Sequence, residues 1–287
     1  MDRFDLIDKA LADALPGRQV AEIVPMLGGM SAELFRVQMV DGDLLTIRFP
    51  SAFIGTMFAD PTQHEFDVLA AIHHAGLPVP RPLFRTPDLL AMTYLPGVAT
   101  ACPKEPSAFV AEFARTLAAI HRAPTSGLEF LPTTRRTYEE PAEPANDDLR
   151  ETEVRRAARA LVPADPGPYG LRHGDFWPGN VLWQDGDLTG VIDWENALLG
   201  PALADLAISR LDVRWILGRD AMLEFTTAYL DENPLPTEHL RYWDLRAALR
   251  PMSNLPDWAA PYAALGRPDI TPDTLRDTLL THIGELL

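Results

Sequence analysis

His173-Gly174-Asp175-Phe176-Trp177-Pro178-Gly179-Asn180, followed by Val181-Leu182-Trp183, Asp185-Gly186 and Ile192-Asp193-Trp194-Glu195, is the stretch on which the fold is decided. Asp175 and Asn180 stand five positions apart in a segment too rich in Gly and Pro to be a helix interior. Val181 to Trp183 reads as one arm of a β-hairpin and Asp185-Gly186 as its tight turn. Leu188 to Ile192 is the returning arm, with Asp193 at its end. Such a hairpin is expected to return Asp193 close to Asn180. One carboxylate is then available to take a proton, and an amide and a second carboxylate to hold a hard cation.

Phosphoryl transfer needs that set. A hydroxyl nucleophile needs an acceptor for its proton, and a triphosphate needs Mg²⁺, which prefers oxygen ligands. The order Asp-x-x-x-x-Asn, strand, Asp matches the catalytic loop and metal-binding Asp of protein kinases. His173-Gly174-Asp175 stands where those enzymes have His-Arg-Asp, and Ile192-Asp193-Trp194-Glu195 where they have Asp-Phe-Gly. The combination resembles the aminoglycoside phosphotransferase and choline kinase-like family of small-molecule kinases. The resemblance implies an α+β, bilobal protein kinase-like fold. Its N-terminal lobe would be an antiparallel sheet with a helix, and its larger C-terminal lobe mainly helical.

Upstream, Phe4, Ile7, Leu11 and Leu15 predict a short amphipathic helix stopped by Pro16-Gly17. Val20 to Met26, Leu34 to Val40 and Leu44 to Phe49 read as three strands, and Pro61 to His74 as a helix. Leu83-Phe84 and Leu89 to Thr93 read as two further strands. Met92 to Gly97 marks the change from strand-rich to helix-rich sequence. The expected division is therefore 1–95, a nucleotide-binding lobe, and 96–287, a catalytic and substrate-binding lobe.

The resemblance assigns roles by position. Gly28, Gly29 and Ser31, in a turn between the first two strands, would cover the nucleotide phosphates, since glycine lets backbone N–H groups approach them. Arg48 stands where the family usually has a strand Lys reaching the phosphates; it keeps the charge with a different geometry. Glu65 is the helical carboxylate that would hold Arg48, and backbone groups at Thr93 and Leu95 would receive the nucleotide base. Asp175 is the catalytic base, Asn180 and Asp193 are the Mg²⁺ ligands, and His173 and Asp205 brace the loop. The co-substrate implied is ATP or GTP.

Downstream, Ser107 to Arg122 reads as a helix capped by Ser107, with His121 structural. Residues 124–144 read as polar loop and Asp147 to Leu161 as a charged helix. Helix resumes at Ala202, after Gly200-Pro201, and Arg210 to Leu230 and Glu238 to Arg250 read as largely helical. Leu255 to Pro268 reads as a connection, and Thr271-Pro272-Asp273 as the start of a last helix. Trp177, Trp183 and Trp194 are expected in the core, and Glu195 as either a neighbour of the metal or a solvent-facing residue.

Lys and Arg total 25 against 41 for Asp and Glu, a formal net charge of −16. That balance argues against a nucleic-acid partner and suits an amine-bearing acceptor such as an aminoglycoside, as well as plain solubility. The single cysteine, Cys102, excludes an intrachain disulfide. The charged start Met1 to Asp5 does not resemble a signal peptide, and no apolar run reaches membrane-spanning length. The expectation is a cytoplasmic monomer or homodimer with no membrane partner. Two other readings compete: a catalytically silent nucleotide-binding protein of the same fold, and a hydrolase using Ser31. The second lacks a Gly-x-Ser-x-Gly elbow.

Overall fold

A computed structural model describes residues 2–26, 32–51, 55–56, 58–133, 146–165 and 167–287. The chain divides into two compact units. One comprises Met1–Pro96 with Thr189–Glu195, the other Gly97–Leu188 with Asn196–Leu287.

In the first unit, Asp2 caps α1 (Arg3–Ala14) through a reciprocal pair of hydrogen bonds with Asp5. Strands β1 (Val20–Met26), β2 (Glu33–Met39), β3 (Leu44–Phe49), β4 (Pro82–Arg85) and β5 (Leu90–Thr93) form an antiparallel sheet in the order β1-β2-β3-β5-β4. Because strand side chains alternate, Phe35, Val37 and Met39 of β2 and Leu45, Ile47 and Phe49 of β3 fall in one buried cluster with Ile7 and Leu11 of α1. Arg48, one step out of phase with Ile47 and Phe49, is also buried, and pairs with Glu65. Glu65 lies on α2 (Pro61–His74), which begins with an Asp60 cap accepting the Gln63 N–H at 3.0 Å.

In the second unit, β6 (Val98–Ala99) pairs with β8 (Val181–Gln184); β9 (Asp187–Val191) follows β8 in the chain, and its residues from Thr189 on belong to the first unit. Between β8 and β9, Asp185 and Gly186 both have positive φ, 55° and 97°, the backbone that lets a two-residue turn follow the strand twist. Strand β7 (Tyr169–Arg172) pairs antiparallel with β10 (Leu198–Pro201), with Leu198 opposite Arg172. Sequence pattern missed β6, β7 and β10. They are short, and the Gly200-Pro201 pair in β10 is ordinarily a breaker signal.

Helices α3 (Pro106–Arg122), α4 (Glu151–Ala160), α5 (Ala202–Leu217), α6 (Arg219–Glu232), α7 (Leu240–Leu249), α8 (Leu255–Ala259) and α9 (Pro272–Leu286) complete this unit. Every residue of α5 from Ala202 to Ile216 is buried, with α6 and α7 packed on it. Its polar members Asp205, Ser209, Arg210 and Arg214 all have hydrogen-bonded partners, as burial requires.

Three expectations need correction. Ser107 does not cap α3: Pro106, whose fixed φ suits the first helical position, starts the helix one residue earlier. The charged helix expected from Asp147 is broken at Arg150 (φ 59°) into a short 3₁₀ turn and α4. Arg210 to Leu230 is largely helical as expected, with Gly218 (φ 88°) separating α5 from α6. Leu255–Ala259 is a helical turn rather than plain connection. Thr271 does cap α9, exchanging hydrogen bonds with Thr274. Among the described residues no helix is long and apolar enough to cross a membrane.

Candidate active site

In the second unit, β7 delivers the chain into His173-Gly174-Asp175. Gly174 has φ 82°, and a Cβ there would overlap the Asn196 carbonyl oxygen, so the turn tolerates no side chain. The fully buried Asp205 carboxylate fixes this turn from α5. Its Oδ2 accepts the backbone N–H of His173 at 2.8 Å and of Gly174 at 3.1 Å. Its Oδ1 accepts Arg172 Nε at 2.9 Å. Burial by itself raises the Asp205 carboxyl. Arg172, His121 and the Gly174 N–H outweigh it and hold the group far below the usual carboxylate range. His121 Nε2 stands 3.6 Å from Asp205 Oδ2, and its Nδ1 is 2.6 Å from the Tyr229 hydroxyl. Burial pushes the His121 ring down, against the pull of Asp205.

The loop beyond is tied to itself. His173 Nδ1 accepts the Asp175 N–H at 3.3 Å. Asn180, in the 3₁₀ turn Pro178–Asn180, donates through Nδ2 to the Asp175 carbonyl at 2.9 Å and stands 3.3 Å from Asp175 Oδ2. Phe176 anchors the loop by stacking on Phe113 of α3 at 4.4 Å, and its carbonyl accepts the Ser209 hydroxyl at 2.7 Å. Asp175 remains 30% exposed, with Oδ1 accepting Arg250 Nη2 at 3.0 Å. Below Arg250 lies Asp212, which accepts the Tyr262 hydroxyl at 3.3 Å. Burial pushes the Asp212 carboxyl up to about 8; Arg250 pulls it down and Asp175 adds to the rise.

In the first unit, Arg48 joins three carboxylates. Nη1 donates to Glu65 Oε1 at 2.8 Å, and Nη2 to Asp193 Oδ1 at 2.9 Å and to Glu195 Oε2. Three carboxylates thus share one guanidinium. Burial opposes the Arg48 charge, but Glu65, Asp193 and Glu195 hold it firmly protonated. Burial pushes Glu65 up, more than Arg48 pulls it down. Asp193 has φ 65°, an uncommon conformation for a residue other than glycine.

A model of the phosphotransferase enzyme family matches residues 22–242. The chain belongs to this family.

No curated protein sequence matches this phosphotransferase. Solved structures do match its fold. Macrolide 2'-phosphotransferase MphH from Brachybacterium faecium is 18% identical, with 96% of this chain and 97% of that one covered and a TM-score of 0.62. Spectinomycin phosphotransferase APH(9)-Ia, solved with ADP and spectinomycin, is 13% identical over 99% and 98% of the two chains, with a TM-score of 0.66. Amicoumacin kinase hAmiN, solved with AMP-PNP, Ca²⁺ and Ami, is 15% identical over 98% and 94%, with a TM-score of 0.65. The phosphotransferase thus has the α+β bilobal kinase-like fold.

A divalent metal suits the oxygen donors this phosphotransferase presents. The Asn180 NH₂ faces an Asp175 carbonyl and carboxylate, which fixes the amide orientation and leaves Oδ1 without a hydrogen-bond partner among the described residues. Asp193 is 26% exposed and is bound to Arg48 through one oxygen. An amide oxygen and a carboxylate oxygen are each the kind of donor that a hard cation takes.

Of the nucleotide residues expected from sequence, Gly28, Gly29 and Ser31 lie outside the described residues. The Thr93 N–H is taken by the Arg81 carbonyl at 2.9 Å, whereas no described residue hydrogen-bonds the Leu95 N–H. Trp183 and Trp194 are buried, and Trp177 is half-buried with its edge against Tyr262. Glu195, left undecided by sequence, is buried against Arg48. Sequence reasoning missed Arg250 and Asp212. Neither belongs to a motif, and only the packing of α5 and the end of α7 brings them to Asp175.

Proposed function

We propose that this phosphotransferase moves the γ-phosphoryl group of ATP, or GTP, to a hydroxyl of a small molecule. Asp175 orients and deprotonates that hydroxyl. Asn180 and Asp193 are ligands of Mg²⁺, which when bound offsets phosphate charge. Arg48, held by Glu65, and the backbone around Gly28, Gly29 and Ser31 position the phosphates, and Leu95, with Thr93, receives the base. His173 and Asp205 hold the loop that carries Asp175.

The observation that carries this reading is the bracing of Asp175. Asp205 accepts the two N–H groups before it, and Asn180 donates through Nδ2 to its carbonyl and to its carboxylate. A partly exposed carboxylate on a loop fixed at both ends is what a general base requires. The family match and the nucleotide-bound structures sharing the fold support it. The test is ATP and GTP consumption against a panel of hydroxylated acceptors, with Asp175→Ala as control. Turnover should fall by roughly 10²- to 10⁴-fold in the variant while nucleotide affinity is retained. Equal turnover in both proteins would remove Asp175 from the reaction.

A silent nucleotide-binding protein is the second reading, favoured by Arg48 in place of the usual lysine. A nucleotide-induced rise in melting temperature without turnover on any acceptor would select it.

A further inference from the structure

Arg250 reaches Asp175 from outside every motif. It caps the end of α7, and its Nη2 donates to Asp175 Oδ1 at 3.0 Å across 75 residues of chain. Its guanidinium lies over the Trp258 ring of α8, 5.2 Å from the centroid, and Trp258 packs edge to face with Trp215 of α5. The Arg250 side chain is 12% exposed. The contact is therefore seated among packed aromatic groups, unlike a pair of long side chains in water. The two oxygens of Asp175 are held differently. Oδ1 takes the charged bond from Arg250. Oδ2 has, among the described residues, the Asn180 amide at 3.3 Å, and that amide makes its shorter bond, 2.9 Å, to the Asp175 carbonyl.

We infer that Arg250 is a positioning residue: by anchoring Oδ1 it fixes the Asp175 carboxylate and leaves Oδ2 as the oxygen that takes the acceptor's proton. The inference rests on the assignment of Asp175 as the base, and adds which atom reacts and what aims it. In the step, the acceptor O–H bond breaks and its proton goes to Oδ2. The acceptor oxygen bonds to the γ-phosphorus, and the bridging oxygen leaves with the electron pair on the nucleoside diphosphate.

An aspartate side chain turns about two torsions, and the bonds from Asp205 to the loop backbone do not restrain them. A restraint is needed, because a reacting atom misplaced by about 1 Å can cost about a hundredfold in rate. Arg250 supplies it through a charge-assisted hydrogen bond, the stronger kind. Asp212 is a second carboxylate acting on Arg250. Burial raises it to about 8, so at neutral pH it is largely protonated and competes little for the guanidinium.

The test compares the full native chain with Arg250→Gln and Arg250→Lys. Crystals grown without nucleotide give the Asp175 side chain directly. In Arg250→Gln the carboxylate should shift by roughly 1 Å or more, or split between rotamers, while Asp205 keeps its bonds to the His173 and Gly174 N–H groups. ATP consumption with Mg²⁺ is then measured with kanamycin, spectinomycin, erythromycin, choline and L-homoserine in turn. On whichever acceptor the native chain phosphorylates, Arg250→Gln should lower kcat by about 10- to 100-fold and leave the KM for ATP unchanged. Arg250→Lys, which keeps the charge but not the fork, should fall between the two. Should the glutamine variant fail to fold, the lysine variant gives both readouts in the same direction. An unmoved carboxylate in the folded variants would overturn the inference, and so would a native or raised kcat. A loss of turnover that merely follows the melting temperature would overturn it too, since that is what a structural ion pair gives. Absence of turnover on every acceptor sinks the phosphotransfer reading instead, and the crystals then still decide whether Arg250 sets the carboxylate.

Discussion

Asp205 Oδ2 accepts the backbone N–H of Gly174 at 3.1 Å across 31 residues of chain, and the same oxygen accepts that of His173. Removing this buried carboxylate strands Arg172 and two backbone donors at once. Asp205→Ala should therefore cost about 3 to 5 kcal/mol, the range for breaking a buried ion pair on one side. Urea unfolding followed by tryptophan fluorescence measures this. A loss under about 1 kcal/mol, the size of an ordinary surface change, would show that the turn does not depend on Asp205.

Gly174→Ala tests the same turn from the backbone side. The added Cβ meets the Asn196 carbonyl oxygen in a left-handed conformation, so both overlap and φ oppose it. The expected loss is about 1 to 3 kcal/mol for the backbone strain alone. Melting should fall and turnover with it. Wild-type stability in this variant would mean that the turn can relax without cost.

Arg48→Met leaves Glu65, Asp193 and Glu195 with no shared cation. The melting temperature should drop sharply, again by the equivalent of about 3 to 5 kcal/mol. If Asp193 is a metal ligand, Mg²⁺ should restore part of that loss, and the restoration should vanish in Arg48→Met with Asp193→Asn. A magnesium response identical in the single and double variants would argue against Asp193 as a ligand.

Asp212 gives a pH signature. Its folded-state pKa is raised to about 8, above that of an unfolded carboxyl, so the native state keeps a proton that the unfolded chain releases. The stability this contributes is present below the unfolded pKa of about 3.9 and is lost as pH rises through the window to about 8. Asp212→Asn keeps an acceptor for the Tyr262 hydroxyl and removes the titration. Its melting temperature relative to wild type should rise steadily from pH 5 to pH 8.5. A constant difference across that range would show that Asp212 is ionised throughout.

Much of this molecule is written locally. The alternation of Phe35, Val37 and Met39 against Leu45, Ile47 and Phe49 specified the sheet, because a strand exposes every second side chain to the same face. Pro61 to His74 gave the bounds of α2, and Asp185-Gly186 gave the hairpin turn, because caps and turns depend on neighbours only a few positions away. The family resemblance legible in the sequence rests on the same kind of short ordered pattern, from His173 to Asp205.

Charge partnerships were decided elsewhere. Sequence order put Arg48 and Glu65 together only through the family resemblance, and it left Glu195 open. The structure buries Glu195 on the same guanidinium. It also draws Arg250 from the end of α7 onto Asp175, and lines a cavity with Arg172, Arg246 and Arg250, residues that share no motif. β7 and β10 became strands only by finding each other. The sequence by itself determined which short segments are helix, strand or tight turn and which carboxylates stand in the kinase order, since those depend on interactions within a few residues. Tertiary structure alone decided which buried charges neutralise one another and what lines the cavity, since an ion pair forms between whatever packing brings within a few ångströms, however far apart along the chain.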